Sequence, residues 1–193
     1  MALRPRRRAT RHHRGVRKGQ SQPLNGAQSH PATPELMQVA ARIAIADDLG
    51  VVGAMAEAAI AELTPQRGGA VWSQTAARVV PLDTGLRHEL DDPDALVIVG
   101  TIDTTVVGYA ACHVEPLHDG RAMARITDLY VLPDARKVGV GEAMMVTLEE
   151  WARERSLVGL DAVALPGDRD TKNFFETFGL VARAIQVHRS LET

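Results

Sequence analysis

Cysteine is nearly absent: of 193 residues, only Cys112 carries a thiol. One cysteine permits neither an intrachain disulfide framework nor a cysteine-based zinc site, and it fits a reducing, cytoplasmic setting. Aromatic residues make up 4% of the chain, so a core has to be built mainly from Ala, Val, Leu and Ile. No apolar run approaches the roughly 18–20 residues that a bilayer-spanning helix requires, so no membrane partner is expected. Acidic residues are missing from the first 34 positions. That stretch holds eight of the 22 Lys and Arg and none of the 24 Asp and Glu, a charge of +8 that leaves −10 on the rest. No apolar segment follows those charges, so the stretch does not read as a secretory signal.

The two parts therefore follow different physics. Residues 1–36 are Arg-, Gln-, Pro- and Ser-rich with too little apolar surface to offset backbone entropy, so they read as a disordered basic tail. The tail is idle, or a start-site artefact with Met37 as the true start, or a nucleic-acid contact made through phosphates with strong salt dependence. Residues 37–193 then form one domain of ordinary size, and its acidic balance would repel nucleic acid.

What is present in that domain alternates between two periods. Residues 39–45 read as a strand. Asp47 reads as the cap of a helix over 48–62 that puts Leu49, Val52, Met55, Ala56 and Ala59 on one face. A weaker helical region follows within 73–91, where Pro81 and Gly85 interrupt its continuity. Segments 95–102, 105–114 and 122–132 read as strands joined by turns at Asp103-Thr104 and His118-Asp119-Gly120, an antiparallel meander. A helix over 139–155 carries Val140, Met144, Val146, Leu148 and Trp151. Then come a strand at 161–165, a short helix at 169–177 stopped by Gly179, and a last strand at 181–189. The order β-α-α-β-β-β-α-β-α-β predicts an α/β fold with a mixed, mostly antiparallel central sheet flanked by helices.

One stretch carries chemistry. Leu129-Tyr130-Val131-Leu132-Pro133 ends a strand, and Arg136, Lys137, Val138, Gly139, Val140, Gly141 and Glu142 lead into a helix. Glycines let a ligand lie on the backbone. The first helical amides lack intrahelical acceptors and the helix dipole favours an anion, so this is a phosphate or pyrophosphate site. It is not a Walker A loop, because no Gly-Lys-Ser/Thr follows. The dinucleotide fingerprint fails as well, because Met144 stands where its third Gly belongs, although Asp161 lies 20 residues past Gly141.

Arg136-x-x-Gly139-x-Gly141 after Leu-Tyr-Val-x-Pro resembles the acyl-CoA-binding signature of the GNAT superfamily of N-acetyltransferases. Asn173-Phe174-Phe175-Glu176-Thr177-Phe178-Gly179-Leu180 resembles its second signature. The resemblance spans about residues 38–190 and implies the acyl-CoA N-acyltransferase fold. It implies that the backbone of Leu129, Tyr130 and Val131 pairs with the pantetheine arm and that amides of Arg136 through Glu142 hold the pyrophosphate. Phe175 would lie toward the cofactor, and Asn173 faces either the cofactor or solvent. It further implies direct transfer from acetyl-CoA to an amine with no metal, beside a strand bulge whose amide stabilises the oxyanion.

Two departures stand out. The family often has a Glu on the central strand, where Arg125 and Thr127 stand here. Asp128 is then the candidate base or amine binder, ahead of Glu115 and His113, while its alternative role is to satisfy loop amides. The family often has a Tyr where Phe175 stands, and Phe donates no proton. Tyr130 or water would replace it, or CoA leaves as the thiolate. The leading expectation is an N-acetyltransferase acting on a small-molecule or peptide amine, as a monomer or homodimer. The competing ones are a non-catalytic CoA-binding module and nucleic-acid association through the tail. Cys112 reads as a core residue, and Trp72 as a wall of the acceptor cleft or as packing.

Overall fold

The structure is a computed structural model that describes residues 37–191; the expected basic tail lies outside the described residues. Five strands form one sheet in the order β1 (Val39–Ile43), β2 (Ala95–Ile102), β3 (Thr105–Pro116), β4 (Ala122–Val131) and β5 (Leu160–Asp161). The first four pair antiparallel and β5 joins β4 in parallel. The mixed, mostly antiparallel α/β sheet flanked by helices is therefore what the sequence leads one to expect. The meander turns at Asp103 without a glycine. Asp103 adopts φ 54°, and its carboxylate accepts the Gln38 amide at 2.9 Å, a conformation that Asp tolerates better than most residues.

Between β1 and β2 lie three helices: α1 (Leu49–Leu63), α2 (Gly69–Thr75) and α3 (Leu82–Asp91). The expected single weak helical region thus splits in two, because α3 can begin only after Pro81. Gly85 sits inside α3 without breaking it. The cap of the first helix also differs by one residue. A single 3₁₀ turn, Ala46–Asp48, precedes α1. Asp48, not Asp47, turns inward, accepting the Ile45 amide at 2.8 Å and two bonds from Arg42 at 2.6 and 2.9 Å.

Two apolar layers sandwich the sheet. On one face, Leu49, Val52, Met55, Ala56 and Ala59 of α1 and Leu82 and Leu86 of α3 cover Val97, Val99, Tyr109, Ala111 and Tyr130. On the other, α4 (Val140–Glu154) and α5 (Arg169–Thr177) lay Val140, Met144, Met145, Leu148, Trp151 and Phe175 on Leu96, Ile98, Ala110, Cys112 and Ile126. Val146, counted on the apolar side of α4 from sequence, is 49% exposed.

The last expected strand does not form. Residues 180–191 carry no regular element, and Val181, Ile185 and Val187 are exposed. A strand needs a paired edge. The pairing of β5 covers only Leu160 and Asp161, and the segment is held to it through the Arg183–Asp161 ion pair.

Candidate active site

The site begins with a break in register. Ala111 faces Asp128 and Cys112 faces Ile126, so Thr127 is the extra residue of a bulge in β4. Its hydroxyl donates to the Ala111 carbonyl at 3.2 Å. A bulge bends and twists its strand. β5 pairs with β4 at Ala124 and Arg125, so the β4 edge beyond the bulge faces a cleft instead of a neighbouring strand. The cleft has a volume of about 750 Å³ and is lined by the end of α1, Trp72, Arg78, β4 from Ile126 to Val131, and the start of α5.

Strand parity decides what that edge offers. The Leu132 amide bonds to the Val107 carbonyl, and inward pairs recur every second residue in an antiparallel ladder. Tyr130 and Asp128 therefore pair inward to β3. Leu129 and Val131 present N–H and C=O to the cleft, and the Arg136 Nε donates to the Val131 carbonyl at 2.9 Å. Of the three backbone residues expected to bind pantetheine, two face outward. Tyr130 instead turns its side chain toward α1, where its hydroxyl donates to Glu62 Oε2 at 3.3 Å.

At the strand end, a 3₁₀ turn (Pro133–Ala135) feeds the loop before α4. Lys137 and Gly139 both have positive φ, 66° and 99°; glycine takes that conformation without strain. The first bond of α4 runs from the Ala143 amide to the Gly139 carbonyl, so the Val140, Gly141 and Glu142 amides have no intrahelical acceptor. A Cβ on Gly141 would lie 3.1 Å from the Phe174 ring, which seats the loop tightly against α5. Arg136, Lys137, Gly141 and Glu142 line the cleft. The Val140 side chain is buried in the sheet packing, so only its backbone can serve a ligand. Lys137 and Val138 are exposed. This loop fits a pyrophosphate: free amides, a dipole and two cations.

Arg136 also reaches across the cleft. Its guanidinium makes two bonds to Glu62 of α1, at 2.9 and 2.7 Å, and lies 5.4 Å from the Tyr130 ring centroid. The Arg136 hydrogen bonds hold the Glu62 carboxyl below its usual range, against partial burial. Burial first, and then Glu62, raise the Tyr130 phenol.

The bulge end holds a second cluster. Arg78 donates to both oxygens of Glu89 at 2.8 Å and to Asp128 at 3.0 and 2.7 Å, and the Tyr109 hydroxyl donates to Asp128 Oδ1 at 2.8 Å. Burial opposes the Arg78 charge, yet the two carboxylates outweigh it and raise its pKa. Burial, then Asp128, pushes the Tyr109 phenol upward. One cation between two anions leaves the cluster at −1. An ionised carboxylate has about four acceptor positions. Three of those on Asp128 are used, and the remaining one is on Oδ2.

Other residues in and around the cleft sort cleanly. Phe175 is buried and lines the cleft beside Asn173. Asp168 caps α5 by accepting the Thr171 amide and hydroxyl at 3.0 and 2.6 Å. Trp72 is half-buried on the cleft wall. Arg125, Glu115 and His113 are not among the cleft-lining residues; Arg125 pairs with Glu115 and Asp161. Sequence reasoning missed Glu62, Arg78, Glu89 and Tyr109. Only Tyr109 carried a signal, as a phenol inside an apolar strand, where a buried hydroxyl needs a partner. Among the described residues no group of three or more His, Cys, Asp or Glu could hold a metal ion.

A sequence model of the acetyltransferase (GNAT) family matches residues 57–180, more than half of the chain. The chain belongs to the GNAT acetyltransferase family. No curated protein matches it. Solved structures similar to it include a ribosomal-protein-alanine N-acetyltransferase from Brucella melitensis biovar Abortus 2308, at 21% identity and TM-score 0.59 over 79% of this chain and 99% of that one. A transcriptional regulator from Bacillus halodurans C-125 aligns at 20% identity and TM-score 0.62 over 80% and 100%. A predicted acetyltransferase from Clostridium acetobutylicum, solved with acetyl-CoA, aligns at 15% and 0.59 over 80% and 97%. At these identities the likeness is one of fold. Family membership makes this GNAT chain an acetyltransferase that uses an acyl-CoA donor. Among the described residues, no helix is long and apolar enough to cross a membrane.

Proposed function

We propose that this GNAT chain transfers an acetyl group from acetyl-CoA to a primary amine by direct attack. The observation that carries the reading is the −1 cluster at the bulge, with an open acceptor position on Asp128 where the free edge of β4 begins. An ammonium is the natural partner of such a site. In this reading Leu129 and Val131 pair with the pantetheine arm, and the amides from Val140 to Glu142 hold the pyrophosphate with Arg136 and Lys137. Asn173 and Phe175 line the arm on the α5 side.

The chemistry then balances with few parts. The amine nitrogen attacks the thioester carbonyl, a C–N bond forms, and the outward Leu129 amide stabilises the oxyanion. Asp128 accepts one proton from the bound ammonium, which frees the nitrogen lone pair for that attack, and the second proton that the nitrogen loses on becoming an amide goes to water. The C–S bond breaks and CoA leaves as the thiolate, which a thiol pKa near about 8.5 makes tolerable without an acid. Of the two catalytic residues the sequence puts forward, the geometry favours Asp128, because the Tyr130 hydroxyl is committed to Glu62.

The test is a calorimetric titration of acetyl-CoA into the full chain and into Gly141→Asp, followed by thiol release with a panel of amines. Saturable binding, lost at least about 10-fold in the variant, together with amine-dependent thiol release, supports the reading. Binding without release from any amine supports instead a CoA-binding module, the reading that Phe175 at the family's tyrosine position favours. Absence of binding removes both.

A further inference from the structure

On the α1 side of the sheet the cleft has an apolar wall. Asp128 lies on that side, because Tyr109, whose hydroxyl it accepts, belongs to the apolar layer beneath α1. Ala59, Ile60 and Leu63 of α1 line the cleft there, with Trp72, Ala76 and Ala77 at the end of α2. The Ala76 and Ala77 amides both bond to the Trp72 carbonyl, at 2.8 and 3.0 Å, and that turn runs straight into Arg78. The half-buried Trp72 and the Arg78–Asp128 pair are thus neighbours along one wall.

Charge on this wall is scarce. Among the described residues that line it from Ala56 to Ala77, Glu62 is the one charged side chain and Gln66 the one side-chain amide. Glu62 is already committed, with two bonds from Arg136 at 2.9 and 2.7 Å and one from the Tyr130 hydroxyl at 3.3 Å. Both oxygens of Glu89 are taken by Arg78. The remaining cleft carboxylates, Glu142, Asp168 and Asp170, stand at the starts of α4 and α5, on the side assigned to the cofactor. One open acceptor position, on Asp128 Oδ2, is set beside a wall of hydrocarbon.

We infer that the acceptor is a primary amine with a single positive charge on an apolar body, its nitrogen at Asp128 and its hydrocarbon against Trp72 and α1. The inference rests on the acetyl-transfer reading above and narrows its substrate class. A second ammonium would lose water and find no free carboxylate on this wall, and an unpaired charge is costly to take out of water. A hydroxyl-rich body meets the same shortage, with Gln66 as its main partner. An apolar body instead removes its own surface, and that of Ile60, Leu63 and Trp72, from water. A few polar groups then fix orientation while the apolar lining holds the rest.

The test compares thiol release from acetyl-CoA by the full chain with three primary amines. These are 2-phenylethylamine, a monocation with an aromatic body; ethanolamine, a monocation without one; and spermidine, a polycation. The kcat/KM for 2-phenylethylamine should exceed each of the others by at least about 10-fold, within the range that an apolar pocket achieves. Trp72→Ala should cut the preference over ethanolamine at least about 5-fold, with acetyl-CoA affinity by calorimetry within about 3-fold of wild type. A general loss of fold would lower all three amines and the cofactor together and leave that ratio alone. Ala76→Asp, at an exposed cleft position, supplies the missing carboxylate. It should raise kcat/KM for spermidine relative to 2-phenylethylamine by about 3-fold or more.

The inference is overturned if ethanolamine or spermidine matches 2-phenylethylamine in wild type, or if Trp72→Ala leaves the preference intact. Should Trp72→Ala not fold, an unchanged ratio in Ala76→Asp overturns it. Failure of wild type to bind acetyl-CoA would remove the acetyl-transfer reading itself, and this acceptor with it. Binding without turnover of any of the three amines removes the acceptor while leaving the CoA site in place.

Discussion

Single residues in this protein are constrained chiefly by what their charges face. Arg78 is the clearest case, a guanidinium with 12% side-chain exposure serving two carboxylates. Its removal strands Glu89 and Asp128 together, and breaking a partly buried charge network costs about 3 kcal/mol. Arg78→Ala is therefore expected to lower the urea midpoint of unfolding strongly. Arg78→Lys should recover only part, because an ammonium cannot fork to two carboxylates. The Asp48–Arg42 pair has a pH signature. The Arg42 hydrogen bonds, against burial, hold the Asp48 carboxyl below its ordinary value. A depressed carboxylate stabilises the fold above its unfolded pKa, near about 3.9, and that contribution is lost as pH falls through the folded value. Asp48→Asn should thus flatten the acid limb of stability below about pH 4, measured as urea midpoint against pH, with no pH-dependent difference appearing between about pH 5 and 8. Cys112 gives the third residue-scale expectation. Burial pushes its thiol up to about 12, so native protein at about pH 8 should resist iodoacetamide, while urea-unfolded protein should label fully.

At the scale of elements, periodicity located most of the fold. The bounds of β2 and α5 are those the sequence predicts, and the meander is in place, because each hydrophobic run there has its turn residues beside it. The misreadings have local causes. Val146 looks apolar in a helix whose buried stripe is set by Met144, Met145 and Leu148, and the structure turns it to solvent. Leu148→Ala should therefore cost about 3 kcal/mol in chemical denaturation, the range for a buried leucine. Val146→Ala on the same helix should stay within about 0.5 kcal/mol. The terminal strand failed for a different reason. Alternation in Val181, Ile185 and Val187 satisfies the pattern of a strand, but a pattern does not supply a pairing edge, and the two-residue β5 offers little of one. The loop proposed to hold the pyrophosphate could be nominated from sequence because all its parts, amides and two cations, lie between Arg136 and Glu142.

For the molecule as a whole, legibility falls with the distance along the chain over which a site is assembled. Arg78 meets Asp128 across 50 residues, and Arg136 meets Glu62 across 74. Nothing near Arg78 or Glu62 in the sequence marks them, since their partners are chosen by how α1 and the segment after α2 cross the sheet. Asp128 could be nominated because it is the carboxylate nearest Arg125 and Thr127, where the resembled family often has a Glu, yet its setting between Arg78 and Tyr109 could not. Among the described residues, every one lining the cleft lies between Ala56 and Thr177, while the +8 charge lies wholly within residues 1–34. Deleting residues 1–36 should leave acetyl-CoA affinity within about 3-fold of the full chain by calorimetry, since every residue proposed to hold acetyl-CoA lies between Leu129 and Phe175. Duplex DNA offers the opposite contrast. Any binding by the full chain should weaken steeply with salt and vanish on the same deletion, because the remaining residues 37–193 carry −9. Retention of DNA binding by residues 37–193 would place a cationic surface on the domain and refute this division of charge. A large loss of acetyl-CoA affinity on deletion would make the first 36 residues part of the site.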